Sequence, residues 1–143
     1  MSAVASGRNA SRNILLIEDE VDIRTILKDA LEWEGYCVYT ASNGKEGIEI
    51  LPEIPAPSLI LLDLMMPVMN GWEFADALET DRAYGDIPIV TLSAFSDPGK
   101  RIRAAGSIKK PVEWDALFAL VRKHCGLGGI HDWANPKDFA RSG

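Results

Sequence analysis

One acidic residue of this sequence ends an apolar run and is followed by a loop that contains turn residues. The segment is Ser58-Leu-Ile-Leu-Leu-Asp63-Leu-Met-Met-Pro-Val-Met-Asn-Gly71. The continuous apolar run from Leu59 to Leu62 is typical of a strand that is buried on both faces of a parallel sheet. Asp63 would then lie at the carboxyl end of that strand, where open α/β sheets place their ligands. Taken alone, Asp63 is explained equally well as a turn residue, because aspartate often caps turns.

Polar side chains also follow three other apolar runs. If these strands are parallel, the groups at their carboxyl ends meet at one edge of the sheet. The site would contain two or three carboxylates, one hydroxyl and one ammonium, a set suited to binding charged ligands. The runs and the residues that follow them are Ile14–Ile17 with Glu18, Asp19 and Glu20; Ile87–Leu92 with Ser93; and the segment at Ile108 with Lys110.

These motifs resemble the receiver domain of bacterial two-component response regulators, and they occur in that family's order between about residues 12 and 125. The Asp-x-Met-Met-Pro-x-Met-x-Gly segment is specific, whereas the other motifs are weak when taken singly. The matching segments are Leu15-Leu-Ile-Glu-Asp-Glu20, Leu62-Asp-Leu-Met-Met-Pro-Val-Met-Asn-Gly71, Thr91-Leu-Ser-Ala94 and Lys110-Pro111.

The resemblance implies catalytic roles for three residues. Asp63 matches the phosphoacceptor, Ser93 matches the hydroxyl residue that binds the phosphoryl group, and Lys110 matches the lysine that pairs with that group. Catalysis of phosphoryl transfer rests mostly on positioning and on neutralising charge, which agrees with this set of side chains.

The resemblance also implies a magnesium site. Glu18 and Asp19 match the acidic pair that binds Mg²⁺ beside Asp63, and the main-chain carbonyl of Met65 matches a further ligand. Three carboxylates in one place repel one another, so we expect at least one of their pKa values to be raised. A small, hard divalent cation would relieve that repulsion, and oxygen ligands suit Mg²⁺.

The pattern of apolar residues predicts a strand followed by a helix, repeated five times. Such alternation with short loops implies right-handed crossovers and a doubly wound, five-stranded parallel sheet, for which we expect the flavodoxin-like order 2-1-3-4-5. The fourth helix is predicted to be shortened. The predicted strands are 14–17, 36–40, 59–62, 87–92 and 107–109, and the predicted helices are 22–34, 44–51, 72–80, 98–105 and 113–125.

Length and composition favour a single domain. The chain has 143 residues, is 47% hydrophobic and carries a net charge of -6, which argues against general affinity for nucleic acid. No apolar run approaches the roughly 20 residues of a membrane span, and the N-terminus lacks the apolar centre of a signal peptide, so we expect a cytoplasmic location. Cys37 and Cys125 provide no disulfide framework and are interpreted as reduced core thiols.

Three ranges divide the chain: a flexible N-terminal segment at 1–12, the receiver domain at 13–125 and a C-terminal tail at 126–143. The tail begins with a glycine-rich stretch and contains Ile130, Trp133 and Phe139. It is either a frayed terminus or a segment that docks on the domain or on a partner.

Two features differ from the pattern of the family. The chain is several residues shorter than usual between Ser93 and Lys110, and Ser107 occupies the position where the family commonly has a switching aromatic residue. We therefore expect any switch to involve mainly the loop after Ser93.

The leading hypothesis is a stand-alone phosphoacceptor domain of a phosphorelay. It would take a phosphoryl group from a histidine kinase or a histidine phosphotransfer protein and signal through contact with a downstream protein. It would catalyse only its own phosphorylation and dephosphorylation. Two alternatives remain: a binding module of this fold without regulated phosphorylation, and an aspartyl-phosphate phosphatase. The phosphatase is less favoured because Met65 stands where such enzymes place a second acid.

Overall fold

A computed structural model describes residues 12–94 and 103–126 of the chain. Five strands in these residues form one parallel sheet in the order β2-β1-β3-β4-β5. This order confirms the predicted flavodoxin-like arrangement. The strands are β1 (Asn13–Ile17), β2 (Cys37–Ala41), β3 (Leu59–Asp63), β4 (Ile89–Ser93) and β5 (Gly106–Lys109).

Four α-helices lie in the described residues, and local sequence explains where several of them begin and end. The side chains of Asn43 and Asn70 accept hydrogen bonds from the amides of Glu46 and Glu73, and the second pair forms a reciprocal capping box. Gly35, at φ 101°, follows the first helix. The helices are α1 (Val21–Trp33), α2 (Gly44–Ile50), α3 (Gly71–Glu79) and α4 (Trp114–Cys125), with a 3₁₀ turn at Leu51–Glu53.

The sheet is covered on both faces, which explains why its strands are continuously apolar. Ile14 and Leu16 of β1 face one core, where α1 and α4 pack. Leu15 and Ile17 face the other core, which contains Phe74 of α3. Strand β3 is buried along its whole length, so Asp63 is held at its end by two packed layers.

The strands and helices of the described residues begin and end within two residues of the predicted positions, apart from the predicted helix at 98–105. Most of that helix lies outside the described residues, and residues 103–105 are not helical. The prediction that Cys37 is a core thiol was wrong. This residue is exposed because it opens the edge strand β2, whereas Cys125 is buried.

No helix within the described ranges combines the length and the apolar character that crossing a bilayer requires.

Candidate functional site

The carboxyl ends of β1 and β3 bring three acidic side chains together. Asp63 is the last residue of β3, and Glu18 and Asp19 directly follow β1. One carboxylate oxygen from each residue lies within 4.8 Å of the others. Glu18 is fully buried and Asp63 is 2% exposed, so the sheet holds two carboxylates away from bulk water. These three residues are called the acidic cluster below.

Lys110 contributes a cation to the acidic cluster from the end of β5. Its Nζ lies 3.0 Å from Oε1 of Glu18 and 3.4 Å from Oδ1 of Asp63. Its backbone amide donates a hydrogen bond of 2.7 Å to the carbonyl of Ser93, which places the lysine beside the end of β4. The peptide bond between Lys110 and Pro111 is cis.

Ser93 is buried at the carboxyl end of β4, next to the strand that carries Asp63. The register of β3 and β4 pairs Asp63 with Leu92, so Ser93 lies one residue beyond the position opposite the acid. The structure thus places the hydroxyl at the edge of the sheet where the acidic cluster lies.

Met65 belongs to the loop that follows β3. Its backbone amide donates a hydrogen bond of 3.2 Å to Oδ1 of Asp63, which helps to orient the carboxylate. The side chain of Met65 is 55% exposed and therefore plays no part in the core.

Gly71, at the end of the loop after β3, packs closely against the backbone of Asp63 and Leu64. The Gly71 amide donates to the carbonyl of Leu64 at 3.1 Å. A Cβ at Gly71 would lie 2.6 Å from the carbonyl oxygen of Asp63 and 2.8 Å from Cα of Leu64, which is closer than these atoms tolerate. Within the same loop, Val68 adopts a φ of 69°, which is strained for a β-branched residue.

The electrostatics of the site reflect two buried acids, Glu18 and Asp63, that share the cation of Lys110, with Asp19 beside them. Burial, then the charge of Glu18 and a hydrogen bond with Asp19, together raise the pKa of Asp63 from 3.8 to about 7, against the opposing effects of Lys110 and the Met65 amide. Burial alone would lower the pKa of Lys110, but its contacts with Glu18 and Asp63 raise it overall. Lys110 therefore offsets only part of the effect that burial and Glu18 have on the pKa of Asp63.

The residues present fit a small divalent cation. Glu18, Asp19 and Asp63 offer only oxygen ligands, and their oxygens are close enough together to share one ion. Their combined charge exceeds that of Lys110 by two, so a dication would neutralise the site. Burial is the main cause of the raised pKa of Asp63, and the charge of Glu18 adds to it.

Sequence reasoning missed three features around the acidic cluster. Nη1 of Arg24 donates a hydrogen bond of 2.8 Å to the carbonyl of Glu18 and so fixes the loop after β1. Lys110 pairs directly with Glu18, where the sequence suggested only a phosphoryl partner. The hydroxyls of Thr91 and Ser107 lie 2.8 Å apart across β4 and β5. Only the last pair could have been inferred, from the polar residues in two neighbouring strands.

A cavity of about 270 Å³ lies elsewhere, beside the beginning of β4. Asp76, Glu79 and Arg103 contribute to its lining, and no residue of the acidic cluster does. The acidic cluster at the strand ends is therefore separate from this cavity.

Comparisons with known proteins agree with this geometry. The sequence model of the response regulator receiver domain matches residues 14–122. The chain is 40% identical over 116 residues to the probable transcriptional regulator ycf27 of Cyanophora paradoxa, an alignment that covers 78% of this chain and 47% of that protein. The chain thus spans about half the length of the first curated relatives that it matches.

Solved structures show the same fold. The chemotaxis protein CheY4 of Vibrio cholerae is 29% identical with a TM-score of 0.73, and the match covers 80% of this chain and 99% of that one. The response regulator TrrA of Thermotoga maritima, solved in complex with Mg²⁺-BeF, is 32% identical with a TM-score of 0.67, covering 78% and 96% of the two chains. The sequence match, the strand order and the acidic cluster lead to one conclusion: this chain belongs to the receiver domain family of response regulators.

Proposed function

We propose that this chain is a phosphoacceptor of a two-component phosphorelay, in which Asp63 takes a phosphoryl group from a histidine kinase or a histidine phosphotransfer protein. The observation that supports this most strongly is the position of Asp63. It is a nearly buried carboxylate at a strand end, with a lysine ammonium 3.4 Å away and two further acids around it. We propose residues 13–125 as the receiver unit.

The proposed reaction is an in-line displacement at phosphorus. A carboxylate oxygen of Asp63 forms a bond to phosphorus while the bond from phosphorus to the donor's imidazole nitrogen breaks. The electron pair of that bond stays on the imidazole, which then takes up a proton. Lys110, at the same site, stabilises the negative charge of the transferred oxygens, and Ser93 donates a hydrogen bond to one of them.

Glu18, Asp19, Asp63 and the main-chain carbonyl of Met65 are proposed to hold Mg²⁺. When bound, the ion supplies charge neutralisation for the carboxylates and for the phosphoryl oxygens. The oxygen-only ligand set and the excess negative charge of the acidic cluster support this assignment. The chain's own activity is proposed to be limited to its phosphorylation and dephosphorylation, with the signal passed on by contact with a downstream protein.

A second candidate function is that of a receiver-fold binding module without regulated phosphorylation. The hydroxyl pair between Thr91 and Ser107 favours it, because Ser107 stands where relatives have a switching aromatic residue. A module of this kind would keep the fold and the acidic cluster but would not accept a phosphoryl group.

Incubation with a small phosphodonor such as acetyl phosphate tests the proposal. Intact-mass spectrometry of the full chain should show one added phosphoryl group in the presence of Mg²⁺ and none in excess chelator. Asp63→Asn should abolish the addition, whereas the control Asp76→Asn, an exposed acid on α3, should leave it intact. Absence of any addition in the wild-type chain with Mg²⁺ would favour the binding module.

A further inference from the structure

Arg24, in the first turn of α1, contacts each residue of the short loop that follows β1. Its backbone amide donates a hydrogen bond of 2.9 Å to the carbonyl of Glu20. Its Nη1 atom donates to the carbonyl of Glu18 at 2.8 Å and reaches the carbonyl of Asp19 at 3.5 Å. The guanidinium thus holds the backbone of both acids that this loop contributes to the acidic cluster.

The other polar groups of Glu18 are bonded as well. Its amide donates a hydrogen bond of 3.0 Å to the carbonyl of Ala41 at the end of β2. Its Oε2 accepts from the amide of Glu20 at 3.2 Å, and its Oε1 lies 3.0 Å from Nζ of Lys110. Glu18 is fully buried, so its carbonyl needs a donor inside the protein, and Arg24 provides one. Loss of the guanidinium would remove that donor and favour a rearranged loop.

These backbone contacts help to determine where two of the three carboxylates lie. The backbone of Glu18 and Asp19 sets the direction of their Cα–Cβ bonds, and thereby how closely their carboxylate oxygens approach that of Asp63. In the structure the three oxygens lie within 4.8 Å of one another. A cation with few protein ligands is bound more tightly when those ligands are already held in place. A guanidinium suits this task because its planar group presents donors in a fixed geometry.

We propose that Arg24 is a positioning residue for the divalent cation of the acidic cluster. It orients Glu18 and Asp19 through their main-chain carbonyls, so that their carboxylates and that of Asp63 can share one ion. This inference rests on the proposed Mg²⁺ site, and it adds to that site a residue that binds neither the ion nor the phosphoryl group.

The positive charge of Arg24 distinguishes positioning from a simple electrostatic effect. A cation beside an acidic site repels Mg²⁺, so removal of the charge alone would strengthen Mg²⁺ binding. Loss of positioning has the opposite effect, because removal of a group that orients metal ligands lowers metal affinity by about 10- to 100-fold. The direction of the change in affinity therefore separates the two effects.

Arg24 also has a counter-charge on α2, outside the acidic cluster. The amide and the hydroxyl of Ser42 donate hydrogen bonds to Oε1 of Glu46 at 2.9 and 2.7 Å. These bonds lower the pKa of Glu46, and the charge of Arg24 adds to that effect. A purely structural role of Arg24, in which it only joins α1 to α2, would change the stability of the protein but not its affinity for Mg²⁺.

A Mg²⁺ titration of the full chain, followed by the NMR chemical shifts of backbone amides, tests the proposal. The dissociation constant is measured for the wild type, Arg24→Met and Arg24→Gln. Methionine keeps much of the apolar stem of arginine without a donor, and glutamine keeps a polar end that stops short of the Nη1 position. Both variants should bind Mg²⁺ at least about tenfold more weakly than the wild type.

The matched control is Lys28→Met, which removes a cation one turn further along α1. Nζ of Lys28 lies 2.8 Å from Oε2 of Glu32, away from the loop after β1. Its removal should change the dissociation constant by less than about twofold, since salt screens exposed charges. Mg²⁺ binding by both Arg24 variants at the wild-type affinity, or more tightly, would overturn the positioning role.

The titration needs no phosphodonor, so it tests Arg24 whether or not Asp63 accepts a phosphoryl group. A wild-type chain that binds no Mg²⁺ would overturn this inference together with the proposed metal site. With acetyl phosphate, the labelling rate of the Arg24 variants should fall at low Mg²⁺ and approach the wild-type rate at saturating Mg²⁺. A rate reduced equally at every Mg²⁺ concentration would contradict the proposal, because Arg24 would then not act through the ligands of the ion.

Discussion

Replacing the carboxylate of Asp63 with an amide should stabilise the protein when no divalent cation is present. Asp63→Asn keeps the size of the side chain but removes its negative charge. Asp63 is only 2% exposed and lies beside Glu18 and Asp19. Those surroundings raise the pKa of Asp63 from 3.8 to about 7. Above pH 7 the folded protein must hold a charge that its unfolded chain holds more easily, and the variant avoids that cost.

The size of this stabilisation is estimated from the difference between the folded and unfolded pKa values of Asp63. A change of about 3 pKa units corresponds to roughly 4 kcal/mol, which is an upper bound for the destabilisation by the ionised carboxylate. Relaxation of the site and entry of water reduce this figure, so we expect a gain of about 2 kcal/mol in the free energy of unfolding at pH 8. For a domain of this size, such a gain raises the melting temperature by about 5 to 10 °C.

The raised pKa also determines how the contribution of Asp63 to stability changes with pH. The folded pKa of Asp63 lies above its unfolded value, so its contribution to stability is fully present below about pH 4 and is lost as the pH rises towards 7. The difference in the free energy of unfolding between Asp63→Asn and the wild type should therefore grow between pH 4 and pH 7 and stay level above pH 8. Urea unfolding in chelator across this range measures it.

The matched control is Asp76→Asn, which neutralises an exposed acid on α3 and should change the free energy of unfolding by less than about 0.5 kcal/mol. Mg²⁺ should reduce the advantage of Asp63→Asn, because the ion neutralises the wild-type cluster. An Asp63→Asn protein that unfolds more easily than the wild type at pH 8 in chelator would refute this reasoning.

Three further predictions concern stability in chelator, measured by urea unfolding. Lys110→Ala should lower the free energy of unfolding by about 2 kcal/mol, because it leaves Glu18 and Asp63 without their cation, and added Mg²⁺ should restore part of that loss. An unchanged urea midpoint would contradict the contacts of 3.0 and 3.4 Å. Gly71→Ala should cost about 2 kcal/mol or more, since the new methyl meets the Asp63 carbonyl at 2.6 Å; a neutral result would show that the loop yields easily. Val68→Asn should gain about 0.5 to 1 kcal/mol by relieving a φ of 69°, and a loss would imply a stabilising contact of the valine.

The sequence was sufficient to predict the sheet and the meeting of the acids. Continuous apolar runs such as Leu59 to Leu62 are typical of buried parallel strands, and the strand order then places Glu18 and Asp63 at neighbouring strand ends. Prediction of the acidic cluster required only the alternation of strands and helices.

The details of the site depend on distances that no pattern in a single sequence encodes. Lys110 follows β5, and two strands separate β5 from β1, so its pairing with Glu18 depends on the exact positions of the strand ends. The close packing of Gly71 on the backbone of Asp63 depends on how the loop after β3 returns, and its glycine could equally mark an ordinary turn. The exposure of Cys37 depends on β2 being an edge strand.

The central claim is that Asp63 accepts the phosphoryl group, and chemical trapping of the product tests it most directly. The full chain is treated with acetyl phosphate and Mg²⁺ and then reduced with borohydride, which converts an aspartyl phosphate to homoserine. Peptide mapping by mass spectrometry should find homoserine at position 63 and at no other acid, and only when both reagents are present. Homoserine at another position, or a phosphoryl group that resists borohydride on a serine, would contradict the account.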